Sequence, residues 1–397
     1  MSDLVPPSAR SHAALGLTAA AAIGRFELQV CERCGAVQYP PREACVKCLS
    51  SDLVWREHSG RGQLIAATAI HHSNHPYFRG RTPWNIGMVR LDGDITVIAH
   101  LHHACMSSPG DVRVRALMDR GGRGVLFAFP TDAARAAETD PQVLEMTCTP
   151  KHKRILVTDG SSKLGQALVD SLLAAGADVV WSGSPAGTQP QPSAAPGIRP
   201  LPLDVTDAES VAAAAKRLGT QVDIIINNAE VHAGSAASLG LEPAQVEINT
   251  NYLGLMRLAT AFVPALLARA HETTSRPTAW VNVLSIYALC SHPSLGTFSS
   301  SKAAALSLAQ CLRAQLRPGG IRVLNVFPGP MDEAVFRDVP PPKLSHSALA
   351  RAIVGALESG QDDCYPGDVA QDFLRRWRQD PKVLELELQP TTSLLQN

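Results

Sequence analysis

The sequence of 397 residues is long enough for two domains, each with its own core, and its 36 basic residues balance 36 acidic ones. Zero net charge leaves no long-range field to steer nucleic acid, and 5% aromatic content leaves few platforms for stacking bases. Four of nine cysteines form a cluster and five are scattered, which suits a reducing, cytoplasmic setting and not a disulfide framework.

Residues 1–25 read as a helical segment. The stretch "AALGLTAAAAIG" is as apolar as a signal-peptide core, but it has no basic flank before it and no clear cleavage site after it. No apolar run is expected to reach the roughly 20 residues of a membrane span, so no membrane partner is expected. Residues 26–56 contain "CERCGAVQYPPREACVKC", where Cys31, Cys34, Cys45 and Cys48 form two C-x2-C knuckles separated by ten residues. Each knuckle puts two thiolates on one tight turn, and two such turns close a tetrahedral Zn2+ site with no open position. The metal is therefore structural. Two histidine groups, His71/His72/His75 and His100/His102/His103, lack a carboxylate nearby in sequence and are read as loop and strand residues.

Residues 57–131 hold short β segments, "GQLIAATAI", "NIGMVRL", "DITVIAHL", "DVRVRAL" and "GVLFAF", spaced as in a small barrel. Residues 132–151 form a polar linker. From 152 to 397 the apolar strands "RILVTD", "ADVVW", "VDIIINN", "AWVNVLS" and "IRVLNVFP" alternate with helical stretches, which predicts a doubly wound parallel sheet. Residues 184–200, "SPAGTQPQPSAAPGIRP", carry too much proline for a helix. The fold class is multidomain: a zinc ribbon and β-barrel, then an α/β domain.

The segments "FELQVCERCGAVQYPPREACVKC", "GRGQLIAATAI" and "PGDVRVRAL" resemble the zinc-ribbon/OB-fold proteins that accompany thiolases and related acyl-CoA enzymes. That resemblance implies a non-catalytic module that docks on a thiolase-like subunit, with acyl-CoA as a candidate ligand. An OB barrel alone also admits nucleic acid, against which the charge balance and the few aromatics argue.

Residues from about 152 to 385 resemble the short-chain dehydrogenase/reductase family, with a Rossmann-type sheet. The resemblance rests on "VTDGSSKLG", "LDV" with Asp204, "NNAE" with Asn227 and Asn228, "NTNYLG" with Asn251, "NVLS" with Ser285 and "FSSSK" with Lys302. It implies a serine that polarises the substrate carbonyl, a tyrosine thirteen residues on that transfers the proton, and a lysine four further that lowers the tyrosine pKa. Ser285 and Lys302 keep that register, but Phe298 stands in the tyrosine's place. General acid–base catalysis is worth about 10²–10⁴-fold, and phenylalanine has no proton to give. Tyr287, two residues after Ser285, would need a different approach to substrate.

The family pattern T-G-x-x-x-G-x-G appears as Thr158-Asp159-Gly160-Ser161-Ser162-Lys163-Leu164-Gly165, with two of three glycines lost. Side chains there crowd the turn and the approach of pyrophosphate. A carboxylate about 4–5 Å from a phosphate charge, at an effective dielectric of about 20, costs roughly 3–4 kcal/mol. Lys163 offsets part of that charge. The pattern N-N-A-G becomes Asn227-Asn228-Ala229-Glu230, and Ser184 stands where an arginine or an acid would choose between NADP and NAD. The expectation is a pseudoenzyme domain that does not bind NAD(P). In that expectation the chain scaffolds a cytoplasmic hetero-oligomer of acyl-CoA, β-oxidation-like metabolism, its two halves holding a thiolase-like enzyme and an active short-chain dehydrogenase. The alternative is an active NAD(P)-dependent 3-hydroxyacyl-CoA dehydrogenase or ketoreductase with an atypical site.

Overall fold

A computed structural model describes residues 4–7, 11–106, 110–131, 140–185, 196–233, 240–272, 277–337, 339 and 341–389. The chain divides into two compact units, Met1–Thr149 with Arg317–Arg322 and Ala356–Asp362, and Pro150–Leu316 with Val323–Gly355 and Asp363–Asn397.

The first unit opens with helix α1 (Leu15–Ala22), followed by β1 (Glu27–Cys31), β2 (Val37–Gln38) and β3 (Leu53–Glu57). These strands make an antiparallel sheet in the order β2-β1-β3. A closed barrel follows, built from β4 (Arg61–Ile70), β5 (Trp84–Leu91), β6 (Ile95–Leu101), β7 (Asp111–Met118) and β8 (Gly124–Pro130), with α2 (Pro76–Arg79) between β4 and β5. The strands close in the order β4-β5-β6-β8-β7. Side chains alternate between faces along a strand. In β6, Ile95, Val97, Ala99 and Leu101 turn inward while Thr96 and Ile98 face out. A register shift between Leu64 and Ala66 bends the long strand β4, as a bulge does.

Within the stretch read as a polar linker, residues 132–139 lie outside the described residues, and Asp140 caps helix α3 (Pro141–Met146) by accepting from Gln142 N and Val143 N. That helix buries Val143 and Met146 against the aromatic cluster of Trp84, Phe127 and Phe129. The polar composition of the stretch concealed this short packed element.

The second unit contains β9 (Arg154–Val157), α4 (Lys163–Ala174), β10 (Val179–Ser184), β11 (Ile198–Pro202), α5 (Ala208–Leu218), β12 (Ile224–Asn227), α6 (Leu241–Glu247), α7 (Gly254–Glu272) and β13 (Ala279–Val283). It continues with α8 (Gly296–Leu316), β14 (Arg322–Val326), α9 (His346–Glu358), β15 (Asp363–Cys364), α10 (Gly367–Gln379) and α11 (Pro381–Glu387). The sheet order is β11-β10-β9-β12-β13-β14-β15, and the pairs around β9 are parallel. Every residue of β12, β13 and β14 is buried, as a sheet covered on both faces requires. The strand order reverses between β9 and β12, and the crevice beyond their carboxyl ends is where open α/β sheets bind ligands.

Two sequence expectations change here. The end of the proline-rich stretch forms strand β11; Pro200 and Pro202 are tolerated because β11 is an edge strand that pairs only with β10. Residues 186–195 of that stretch lie outside the described residues. The helical run Leu241–Ala270, which joins α6 to α7 through a π-helical turn at Ile248–Leu253, is long and apolar enough to cross a membrane by length and composition. The sequence reading missed it because polar residues interrupt the run. It packs against α8, and α7 also packs against α5, which is the setting of a core helix.

Candidate functional site

The two cysteine knuckles share one backbone design. In the first, Gly35 N donates to Cys31 O at 2.8 Å; in the second, Leu49 N donates to Cys45 O at 3.0 Å. Both closing residues adopt left-handed backbone, Gly35 at φ 71° and Leu49 at φ 60°. The turns bring Cys31 Sγ to 3.6 Å from Cys48 Sγ and Cys34 Sγ to 3.5 Å from Cys45 Sγ. Zn–S bonds of about 2.3 Å in a tetrahedron put sulfurs about 3.8 Å apart, so the four thiolates fit Zn2+. Backbone N–H groups of Cys48 and Lys47 lower the Cys45 thiol to about 6, whereas the Cys48 thiol is raised, the Ser50 N–H opposing burial and the neighbouring sulfurs.

A second cluster corrects the expectation that no carboxylate stands near the barrel histidines. Asp140 Oδ2 lies 2.9 Å from His103 Nδ1 and 3.7 Å from the buried His102 Nε2. His102 Nδ1 accepts the Ala104 N–H at 3.1 Å. That assignment places the imidazole proton on Nε2, where it faces Asp140 and leaves no lone pair for a metal. Asp140 serves instead to cap α3 and to fix the His103 turn.

In the second unit, the loop from β9 to α4 is tied to the end of β12. Thr158 Oγ1 accepts from Asn228 N and Ala229 N at 3.1 and 3.2 Å. The Asn228 side chain donates to Asp159 O at 2.7 Å and accepts from Asp159 N at 3.0 Å. Gly165 survives for a steric reason: a Cβ there would lie 1.9 Å from Asp159 O. The Ser162 hydroxyl caps α4 by accepting from Gly165 N at 3.0 Å. The loop is thus tied to β12 and to α4 with Asp159 and Lys163 at the other two glycine positions.

Asp159 changes what that course offers. Its Oδ1 accepts from Ser161 N and Ser162 N, both at 3.1 Å, and from Ser161 Oγ at 2.7 Å. These are loop amides at the positive end of a helix, the groups that bind anions. Lys163 is exposed at the first position of α4, and no ion pair joins it to Asp159 among the described residues. Asp204 Oδ1 accepts from Thr206 N at 2.8 Å and Thr206 Oγ1 at 2.6 Å, a local turn before α5. Ser184 is buried at the end of β10, its carbonyl accepting from Leu203 N.

Asn251, Ser285, Phe298 and Lys302 are all buried in this unit, on the π-helical turn, after β13 and on α8. Lys302 Nζ donates to Val283 O at 3.1 Å, lies 5.5 Å from the Phe298 ring centroid, and pairs with Glu230 Oε2 at 2.6 Å. Asn251 sets that pair. Its side chain accepts from Val231 N, donates to Val231 O and donates to Ser301 Oγ, so it holds the neighbours of both Glu230 and Lys302. Sequence reading found each residue but not the Glu230–Lys302 pair. The available signal was that a buried ammonium without its tyrosine needs another partner.

Ser285 and Tyr287, the other hydroxyl-bearing residues of interest, are both buried. Ser285 Oγ accepts from Tyr287 N at 3.2 Å. The Tyr287 ring packs among His292, Phe336 and Phe373, and burial pushes its phenol up to about 12. His232, whose role the sequence did not suggest, packs its ring 5.2 Å from that of Phe298. Carboxylates thus stand on the loop amides and beside the lysine.

Comparison with known proteins identifies the architecture. Residues 153–343 match the short chain dehydrogenase family. The short-chain dehydrogenase ptmH of Penicillium ochrochloron is 31% identical over 44% of this chain and 67% of its own length. The chain belongs to the short-chain dehydrogenase family. The short chain dehydrogenase pigC of Monascus ruber is 29% identical over 48% of this chain and 67% of its own length. A crystal structure of a short-chain dehydrogenase from Burkholderia cenocepacia in complex with NADP superposes on the dehydrogenase domain with a TM-score of 0.56. It is 33% identical and covers 61% of this chain and 100% of that one. The chain spans between 47% and 67% of the length of the first curated relatives it matches. Ahead of the dehydrogenase domain, residues 18–54 match the ChsH2 rubredoxin-like zinc ribbon domain and residues 55–118 the ChsH2 C-terminal OB-fold domain. A zinc ribbon and an OB-fold are therefore fused to a short-chain dehydrogenase domain.

Proposed function

We propose that the chain is a non-catalytic scaffold of acyl-CoA metabolism in the cytoplasm, with a structural Zn2+ and a dehydrogenase domain that binds no NAD(P). The observation that carries the reading is Lys302, which faces Phe298 instead of a tyrosine and is neutralised by Glu230 at 2.6 Å. A lysine so paired has no phenol to acidify. In this reading the ribbon and OB-fold hold a thiolase-like acyl-CoA enzyme and the dehydrogenase domain pairs with an active short-chain dehydrogenase. Fusion keeps both partners at high effective concentration, of order millimolar for short flexible linkers.

The test is a calorimetric titration with NADH and NADPH, an assay of Phe298→Tyr with 3-oxoacyl-CoA, and co-purification of the tagged chain with its partners identified by mass spectrometry. Neither dinucleotide should bind at micromolar affinity. The single substitution should give no turnover, because Glu230 still holds Lys302. The partners should include a thiolase-like enzyme and an active dehydrogenase. Turnover by Phe298→Tyr, or a lone monomer with its own dehydrogenase activity, would sink the reading.

One observation favours a second reading. The NADP complex from Burkholderia cenocepacia is 33% identical. An NAD(P)-dependent 3-hydroxyacyl-CoA dehydrogenase or ketoreductase would then reside here, and micromolar NADPH binding by the wild-type chain is the result that would select it.

A further inference from the structure

Two acidic residues of the dehydrogenase domain stand where the family resemblance implies glycine, and the structure gives each a cationic or amide partner. Asp159 lies on the loop before α4 and caps the amides of Ser161 and Ser162. Glu230 lies beyond β12 and pairs with the buried Lys302. The two loops are tied together, because the Asn228 side chain bonds both the N–H and the carbonyl of Asp159 two residues before Glu230. We propose that Asp159 and Glu230 are internal ligands of the crevice, filling from within the chain the anion cradle and the ammonium that an external dinucleotide would otherwise meet. This deepens the cofactor-free reading above and rests on it.

Physical need explains why both positions are acidic. Loop amides at the start of a helix concentrate positive partial charge, and an anion satisfies them. Burying an ammonium to 2% exposure carries a desolvation penalty that a nearby carboxylate offsets. In a domain without cofactor, neutral side chains at 159 and 230 would leave the loop amides to solvent and the ammonium without its carboxylate. Carboxylates supply the missing charge, and the same charge repels a phosphate. Internal binding and exclusion of dinucleotide are then one device.

The experiment uses the full chain and three variants: Asp159→Gly/Glu230→Gly, the shape-preserving Asp159→Asn/Glu230→Gln, and Asp159→Gly alone. Melting temperature is read with and without millimolar NADPH, NADH or inorganic pyrophosphate, and NADPH affinity by calorimetry. Both double variants should melt below wild type without ligand and recover with NADPH. Their affinity should exceed that of wild type by about 100-fold or more, the size expected for lifting one close like-charge contact. Asp159→Gly alone should be stabilised by pyrophosphate, since only the cradle is opened. If neither wild type nor any variant responds to a dinucleotide or to pyrophosphate, the internal-ligand assignment is overturned while the cofactor-free reading stands. If wild type already binds NADPH at micromolar affinity, both fall.

Discussion

The zinc ribbon and the β9–α4 loop are both short turns that aim a few polar atoms at one point, and they differ in what fills the point. In the ribbon four sulfurs converge, 3.5 and 3.6 Å apart across each pair, as ligands that a metal ion would join. In the loop the converging amides are already taken by Asp159. In the dehydrogenase domain Thr158, Asn228 and Gly165 hold the loop, while Asp159 sets what its amides meet. Function lives in those side chains and not in the fold.

Removing the metal should make the ribbon fail outright. Cys31→Ser/Cys45→Ser deletes two fully buried ligands, and structural Zn2+ contributes about 10–16 kcal/mol in small zinc-binding peptides at neutral pH. Metal analysis should find one zinc per wild-type chain and none in the variant, and limited proteolysis should cut within 26–56. A folded, protease-resistant ribbon without zinc would break the comparison. Next in size is Gly165→Ala. Its Cβ would fall 1.9 Å from a backbone oxygen that cannot swing aside, so unfolding in urea should show a loss of about 1–3 kcal/mol. An unchanged midpoint would mean that the loop is not held as described.

A smaller change compares the two knuckles directly. Gly35 and Leu49 close equivalent turns at φ 71° and 60°, yet only glycine adopts that region without steric cost. Leu49 is 82% exposed, so its side chain has little packing to lose. Leu49→Gly should therefore stabilise the protein by about 0.5–1 kcal/mol, seen as a shift in the denaturation midpoint at constant zinc content.

Much of this was legible in the sequence, and what was not has identifiable causes. Cysteine spacing encodes the ribbon because both ligands of a knuckle sit on one turn. Apolar runs encode β9, β12, β13 and β14 because a sheet covered on both faces is built mostly of apolar residues, and buried polar ones such as Asn282 and Asn325 pair with each other. The register Ser285, Phe298, Lys302 located the lost donor. The Glu230–Lys302 pair was not legible, since the partners are 72 positions apart in sequence and their neighbours Val231 and Ser301 are joined through Asn251 in the folded chain. Strand β11 was hidden by its prolines, and Asp140 by its distance in sequence from His102 and His103.

The smallest expected effect concerns pH and separates the packed rim of the dehydrogenase domain from its ion-paired centre. His292 packs its ring 5.3 Å from that of Tyr287, shares a 2.7 Å hydrogen bond with Ser294 Oγ, and has its pKa lowered from 6.5 by burial. The folded state therefore holds this imidazole neutral more strongly than the unfolded chain does. Above pH 6.5 both states are neutral and the group leaves stability unchanged. As pH falls below 6.5 the unfolded chain takes up a proton first, so stability declines until the folded pKa is passed. His292→Gln removes the titration. The variant's urea stability should fall less steeply than that of wild type between about pH 6.5 and 5, by a slope of no more than about one proton. Parallel curves for the two proteins would show that His292 titrates as it would in water, and that the aromatic rim around Tyr287 is open to solvent.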